Sequence, residues 1–318
     1  MSIYILTDKI LGNGSFGKVI LVENAVNGEL FAAKELSKEI YQKKDLIDLL
    51  ENEILISTSF MNPNLIKISD IVEIASKNYL LFEYCNGGDL ESFMMNYKKK
   101  SGTNFNEKTV QYILKQVLNG LSCLHRNKII HHDIKPANIL LKFKNKNDMF
   151  NILDSEIKIS DFGLAKFKDQ NSNNAISGTP LYMDPTLFGS DVSIEKEYVD
   201  IWSIGILTIY LLTGQHPFIR NSYEGLEDLI ANIKKGYFTI NKEIVSKQVI
   251  SFINSCLQID PAQRLSADEL MYHEFISRDI EFFEGVQVNS LPKEYIGYGN
   301  RIMMNAYDNK QLSLILGM

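Results

Sequence analysis

The sequence predicts an α+β chain of two unequal lobes: a small, mostly β N-terminal lobe carrying one helix, and a larger, mostly helical C-terminal lobe. Three observations predict it. Strand-like runs cluster near the N-terminus, where Ile10-Leu11 and Lys18–Val22 flank Gly12-Asn13-Gly14-Ser15-Phe16-Gly17 and Leu30–Leu36 follows. Further on, Glu107–Arg126 carries Val110, Ile113, Leu114, Val117, Leu118, Leu121 and Leu124 at helical intervals. With 318 residues, 45% of them hydrophobic, the chain can bury a large core and is long enough for two lobes.

Taken in order, the residues after the first glycines are strand-like rather than helical. The run therefore reads as a hairpin lid whose backbone amides can approach phosphates, rather than as the turn of a dinucleotide fold; an ordinary glycine hairpin is the alternative. Ala25 to Gly28 reads as the next turn. Leu30–Leu36 is a strand holding Lys34 among apolar residues, and a buried ammonium is costly without anionic partners, so phosphate and a carboxylate are expected beside it. A helical pattern from about Asp45 to Phe60 offers Glu53, with Glu51 as competitor. Leu65–Ile74 and Asn78–Tyr84 read as a strand pair, and the Lys-rich stretch 98–104 as a solvated loop. After the Glu107–Arg126 helix, Lys142–Ile157, rich in Lys, Asn and Asp, reads as an inserted hairpin tip, and Ile157–Ser160 returns to strand. Asp200 to Leu212 is a strongly apolar helix, and Ser266 to Leu270 has the pattern of a capping box.

The centre of the chain is His131-His132-Asp133-Ile134-Lys135-Pro136-Ala137-Asn138, held between Ile129-Ile130 and Ile139-Leu140-Leu141. A carboxylate to accept a hydroxyl proton, an ammonium to neutralise a transferring phosphoryl group and an amide to hold a metal ion are the parts phosphoryl transfer needs. Alone, the cluster reads equally as a metal site or a polar turn. Asp161-Phe162-Gly163 follows about two dozen residues later behind a strand, and its aspartate suits Mg²⁺, which binds through few carboxylates plus phosphate oxygens and water.

In this order, from about Tyr4 to Ile276, the chain resembles the eukaryotic protein kinase family, in its serine/threonine branch, with a bilobal domain over 4–276 split into lobes 4–84 and 85–276. The resemblance implies ATP and Mg²⁺ as cofactors and a protein substrate with serine or threonine. It makes Asp133 the base, Lys135 the γ-phosphate partner and Asn138 and Asp161 the metal ligands, and it pairs Lys34 with Glu53, which precedes Asn62-Pro63-Asn64 by the family's spacing. It places the nucleotide against Leu11, Gly12, Asn13, Gly14, Ser15, Phe16 and Gly17, between Val19 and Ala32 above and Leu140 below. Phe82 becomes the gatekeeper, Glu83-Tyr84-Cys85 the hinge, and Asp89 a ribose neighbour, although Asp89 also suits a helix N-cap. Thr179 is expected to bond near Asp133 and Lys135, Asp200 to brace the catalytic loop, and 277–318 to form a tail matching nothing in the family. Within the family the chain resembles most the autophagy-initiating kinases, with calcium/calmodulin-type and NimA-type kinases close behind.

Composition excludes other classes. A net charge of -6 argues against a nucleic-acid binder, which needs clustered basic surface. The three cysteines, Cys85, Cys123 and Cys256, lack metal-site spacing and fit a reducing, cytoplasmic setting. The N-terminus has no signal pattern, and the run Ile201–Leu212 is too short to span a bilayer.

Departures from the family pattern bear on regulation. His132 stands where the family has the arginine that clamps an activation-segment phosphate, and a neutral imidazole clamps phosphate poorly. The usual phosphate position aligns with Ala175. An enzyme independent of that phosphate is expected. Thr186 replaces a glutamate whose partner, Arg264, is retained, with Asp184 as candidate substitute. Ser57 falls where an apolar residue joins His131, Phe162 and Ile68 in a stack, so a regulatory protein partner is among the expectations. Ala137 and Tyr210 stand where arginine-selecting kinases carry acids, so no strong arginine requirement is expected. The alternative to a catalyst is a nucleotide-binding pseudokinase scaffold.

Overall fold

The computed structural model describes residues 3–14, 17–37, 42–144, 151–168, 178–188, 197–219, 225–236, 238, 240 and 245–278. Ser15, Phe16, Ala175, the tip of the inserted hairpin at 145–150 and the tail from 279 onward lie outside the described residues.

The N-terminal lobe is an antiparallel sheet of β1 (Tyr4–Gly14), β2 (Gly17–Asn24), β3 (Leu30–Leu36), β4 (Ile68–Ile74) and β5 (Lys77–Glu83), in the order β1-β2-β3-β5-β4. Strand alternation divides its faces. Val22, Phe31, Ala33, Ile74, Tyr79 and Leu81 form a small core on one face, covered by Tyr4, Leu6 and Val72. The register Val19↔Lys34 and Ala32↔Phe82 puts Val19, Ala32, Lys34 and Phe82 together on the other. Gly17 has φ +156°, and a Cβ there would stand 2.5 Å from the Glu35 carbonyl oxygen, so the second strand can start against β3 only with glycine at this position.

Helix α1 (Lys44–Ser59) buries Leu50, Glu53, Ile56 and Ser57. The strand after it begins at Ile68, not at Leu65 as its apolar run suggests. Leu65 and Ile66 are taken by the other lobe: Leu65 bridges Ile159, and the Ile66 amide donates to the Ile159 carbonyl at 2.8 Å.

In the C-terminal lobe, β6 (Gly88–Asp89) leads into α2 (Leu90–Ser101), which absorbs most of the expected 98–104 loop. The lysines 98–100 fall in its last turn, where cations favour the carbonyl end of a helix, and Gly102, in the left-handed region at φ 75°, closes it by donating its N–H to the Lys98 carbonyl. Helix α3 (Glu107–Arg126) buries all seven of its predicted apolar positions. It is followed by β7 (Ile129–Ile130), β8 (Ile139–Phe143), β9 (Ser155–Ile159) and β10 (Lys166–Phe167). Strands β6, β8 and β9 form a small sheet, and β10 pairs with β7. Helix α4 (Tyr198–Thr213) is buried from Val199 to Leu212, as expected of a helix apolar all round. It is followed by α5 (Leu226–Lys235), α6 (Lys247–Cys256), α7 (Ala267–Met271) and the short α8 (Glu274–Ser277); α6 packs on α4, and α7 and α8 pack on α3. Ser266 and Glu269 make the predicted capping box at α7. One apolar core crosses both lobes, with Leu36, Ile68 and Phe82 joined to Leu121, Ile159 and Phe162. Among the described residues, no helix is long and apolar enough to cross a membrane.

Candidate active site

The site lies between the Lys34 face of the sheet and the loop between β7 and β8. The Lys34 ammonium donates to both Glu53 oxygens, at 2.7 and 2.8 Å, and stands 3.9 Å from Asp161 Oδ1. Glu53 is 2% exposed whereas Glu51 is exposed, so burial separates the two candidates. Burial pushes the Glu53 carboxyl above the usual carboxylate range, against the opposing pull of the Lys34 ammonium.

Asp133 is fixed from three sides. Thr179 gives its amide (3.0 Å) and hydroxyl (2.7 Å) to Oδ1, Lys135 Nζ stands 2.7 Å from Oδ2, and Asn138 Nδ2 donates to Oδ2 at 2.9 Å. Lys135 also donates to the Thr179 hydroxyl at 2.6 Å, closing the expected ring. Burial disfavours the Asp133 carboxylate, but the Lys135 charge and the bonds from Lys135 and Thr179 outweigh it and hold the carboxyl below its ordinary range. Gly178 lets Thr179 come so close: its φ is +115°, and a Cβ there would meet the His132 carbonyl oxygen at 2.5 Å.

The loop backbone is held by Asp200, which accepts from the His131 amide (2.8 Å), the His132 amide (2.9 Å) and His125 Nε2 (2.8 Å). His132 is buried at φ 66°, a left-handed conformation of the kind that collects at functional sites. The His131 ring, stacked edge-on to Phe162 at 5.5 Å, accepts the Asp133 amide at Nδ1 (3.2 Å) and so donates from Nε2 to the Ser160 carbonyl (3.1 Å). Burial lowers its pKa and keeps it neutral.

Asn138 spends its amide nitrogen on Asp133, donating also to the Asp133 carbonyl at 2.8 Å, which leaves its amide oxygen for a cation. Asp161, in the left-handed region at φ 63°, has a side chain 37% exposed. One carboxylate and one amide oxygen suit Mg²⁺, which takes hard oxygen ligands and retains water or phosphate for the rest.

Of the other expected nucleotide contacts, Leu11, Gly12, Asn13 and Gly14 end β1, and Leu140 pairs with Asp89 between β8 and β6. Phe82 and Glu83 end β5, followed by a buried Cys85 whose thiol burial pushes up to about 12. Asp89 caps α2, with Ser92 donating its amide to Oδ1 and its hydroxyl to Oδ2, both at 2.8 Å. The helix-cap alternative is thus what its carboxylate does in this structure.

Arg264 is not orphaned. Its Nη1 pairs with Asp184 Oδ2, both side chains fully buried, and it donates to the Tyr198 carbonyl at 2.8 Å; Asp184 Oδ1 accepts the Thr186 amide at 2.7 Å. Asp184 therefore takes the guanidinium that Thr186 cannot. Next to it, His216 accepts the Phe218 amide at Nδ1 (3.3 Å) and donates from Nε2 to the Leu181 carbonyl. Burial pulls this ring down to about 4. Since the folded state favours the neutral ring and an unfolded histidine titrates near about 6.5, its contribution is complete above that pH. As pH falls from about 6.5 through about 4, the His216 contribution of about 3 kcal/mol is expected to be lost, so the acid-side fall in unfolding free energy should be smaller by about that amount in His216→Gln when the two are compared by urea titration.

Ser57 is 2% exposed, and among the described residues its hydroxyl has no hydrogen-bond partner. Ser57→Ala is expected to raise stability by about 1 kcal/mol, measured by the same titration, because it removes a desolvated hydroxyl without opening a large cavity.

The sequence reading missed several residues that shape the site: Lys158, the amide cluster Asn64, Gln116 and Asn119, and the pair Lys168–Glu197, 3.0 Å apart. Lys158 alone carried a signal, a lysine between Ile157 and Ile159 in a strand, as with Lys34.

Comparison with known proteins follows the same lines. The family described as protein kinase domain matches residues 5–276. The chain is 32% identical over 273 residues to serine/threonine-protein kinase ATG1c of Arabidopsis thaliana, covering 86% of this chain and 35% of that one. It is 32% identical over 278 residues to calcium/calmodulin-dependent protein kinase type I of Schizosaccharomyces pombe, covering 85% of this chain and 77% of that one. It is 32% identical over 278 residues to serine/threonine-protein kinase 33 of Bos taurus, covering 85% of this chain and 54% of that one. The chain thus spans about a third of the first of these relatives and about half of the last.

Proposed function

The chain belongs to the protein kinase family, and on that premise we propose that it transfers the γ-phosphate of ATP to serine or threonine hydroxyls of proteins, with the domain running from 4 to 276. The observation that carries this reading is the joint placement of Lys34 on Glu53 and of Asp133 in its ring with Lys135, Thr179 and Asn138. Asp133, ionised and aimed by Thr179, accepts the hydrogen bond of the incoming hydroxyl and orients it in line. The hydroxyl oxygen bonds to phosphorus and its proton passes to Asp133, while the bond from phosphorus to the bridging oxygen of the leaving diphosphate breaks. Lys34 and Lys135 bring positive charge to the phosphoryl group, and their fixed positions carry the catalysis. Asn138 and Asp161 would hold Mg²⁺, whose charge neutralises the phosphates. The hinge at Glu83 to Cys85 offers its backbone to adenine.

The reading extends to regulation: the enzyme works without an activation-segment phosphate. Lys168, just beyond β10, already meets a carboxylate in Glu197, and its amide donates to the Lys128 carbonyl at 2.8 Å. A carboxylate of the protein thus supplies the counter-charge of Lys168, which supports this reading. Substrate selection would not require arginine.

The test is incorporation of labelled phosphate from Mg-ATP into serine, threonine and tyrosine peptides, beside Lys34→Met. Transfer to serine or threonine that is lost in the variant is expected. Label on tyrosine alone, or equal label with the variant, contradicts the proposal.

A further inference from the structure

Behind the cleft lies a buried lysine that the proposed reaction does not use. Lys158 in β9 is 5% exposed. Its ammonium donates to the Pro63 carbonyl at 2.8 Å, stands 3.2 Å from Glu83 Oε1 and lies 3.6 Å from Glu156 Oε2. The second Glu83 oxygen takes Lys142 Nζ at 2.8 Å. Pro63 belongs to the segment between α1 and β4, which is fastened to the C-terminal lobe. Asn64 Nδ2 donates to Gln116 Oε1 (3.0 Å) and the Ile157 carbonyl (2.8 Å), Asn119 Nδ2 donates to Asn64 Oδ1 (2.7 Å), and the Ile159 amide donates to the Asn64 carbonyl (2.8 Å).

Three functional pieces meet at one ammonium. Glu83 opens the hinge, Pro63 follows the helix that bears Glu53, and Lys158 lies three residues before Asp161. Burying an ammonium is sustained only while its partners stay in place. Displacing the hinge from β9 would strand Lys158 and Glu83 together, so their relative position is held by a steep penalty rather than by soft packing.

We propose that Lys158, through Glu83, is a positioning residue that fixes the hinge against the strand that leads to Asp161, so that a nucleotide seated on the hinge presents its phosphates to Lys34 and Asp161. Its catalytic consequence rests on the kinase reading above. The described arrangement holds the Lys34–Glu53 pair formed, so the network supports the assembled site.

The test compares the full chain with Lys158→Met, Lys158→Arg, Glu83→Gln and the double variant Lys158→Met/Glu83→Gln. Mg-ATP affinity is read by calorimetry, and KM and kcat by phosphate transfer. Lys158→Met is expected to weaken Mg-ATP binding by about tenfold and raise KM alike, and Lys158→Arg to recover most of it. The double variant should bind no worse than Lys158→Met, because the tie between Lys158 and Glu83 is already lost in the single variant. A folded Lys158→Met that binds within about twofold of the unaltered chain, a gain in kcat, or additive losses in the double variant would overturn the proposal. If Lys158→Met does not fold, Glu83→Gln decides: a loss of about threefold or more supports the proposal, and unchanged affinity overturns it. Since affinity is read directly, a chain that binds Mg-ATP but transfers no phosphate fails the kinase reading and leaves the Lys158 result legible. A chain that binds no Mg-ATP overturns both.

Discussion

Asp133→Asn is expected to lower kcat by about 10³-fold while leaving the Mg-ATP dissociation constant within about twofold. The substitution keeps shape and removes charge. Oδ1 would still receive the Thr179 amide and hydroxyl, but the other position, now an amide group, would face Lys135 and Asn138 Nδ2, which both donate. The incoming hydroxyl loses its acceptor, and Lys135 loses its counter-charge and keeps only the Thr179 hydroxyl. The contacts of Lys34 with Glu53 and Asp161 do not involve Asp133 and are untouched. Steady-state kinetics beside calorimetric Mg-ATP binding check this. A variant retaining more than about a tenth of kcat would remove Asp133 from the chemistry.

Asp184→Ala is expected to destabilise the fold by about 3–5 kcal/mol, the cost of leaving a fully buried guanidinium without its counter-charge. Arg264 packs with its guanidinium 5.1 Å from the Trp202 ring, and its hydrogen bonds to the Tyr198 and Gln258 carbonyls, each at 2.8 Å, do not neutralise it. Asp184 also receives the Thr186 amide, so its loss loosens the segment that runs from Thr179 into the C-terminal lobe. The double variant Asp184→Ala/Arg264→Leu should regain most of the loss, since an apolar replacement of a buried pair is often near neutral. Urea unfolding of the three proteins decides. A loss below about 1 kcal/mol in Asp184→Ala would mean that another acceptor serves Arg264.

The fold was legible where a residue type conflicted with its setting or where a period was sustained. Lys34 in an apolar strand demanded a carboxylate, and the helix that follows supplied Glu53. The apolar positions of α3 and the all-apolar α4 gave their burial by period alone. The same conflict marks Lys158, whose counter-charge is the Glu83 side chain in the hinge. Local composition misled at two boundaries. Lysines at 98–100 resemble a loop but sit at a helix C-terminus that favours them, and Leu65 resembles strand but pairs with β9 across the lobes. The amide cluster of Asn64, Gln116 and Asn119 was illegible, because Gln116 and Asn119 look like the solvated face of an amphipathic helix until the loop bearing Asn64 is placed against them.

The most direct measurement is transfer of γ-phosphate from Mg-ATP to a mixed serine/threonine peptide library by phosphatase-treated chain. The structure's pre-assembled ring at Asp133 and the Lys168–Glu197 pair predict transfer at a rate within about twofold of untreated chain, without an arginine requirement and lost in Asp133→Asn. Activity that vanishes on phosphatase treatment and returns with an activation-segment phosphate would contradict phosphate independence. Absence of transfer by either form, with Mg-ATP bound, would make the chain a nucleotide-binding scaffold.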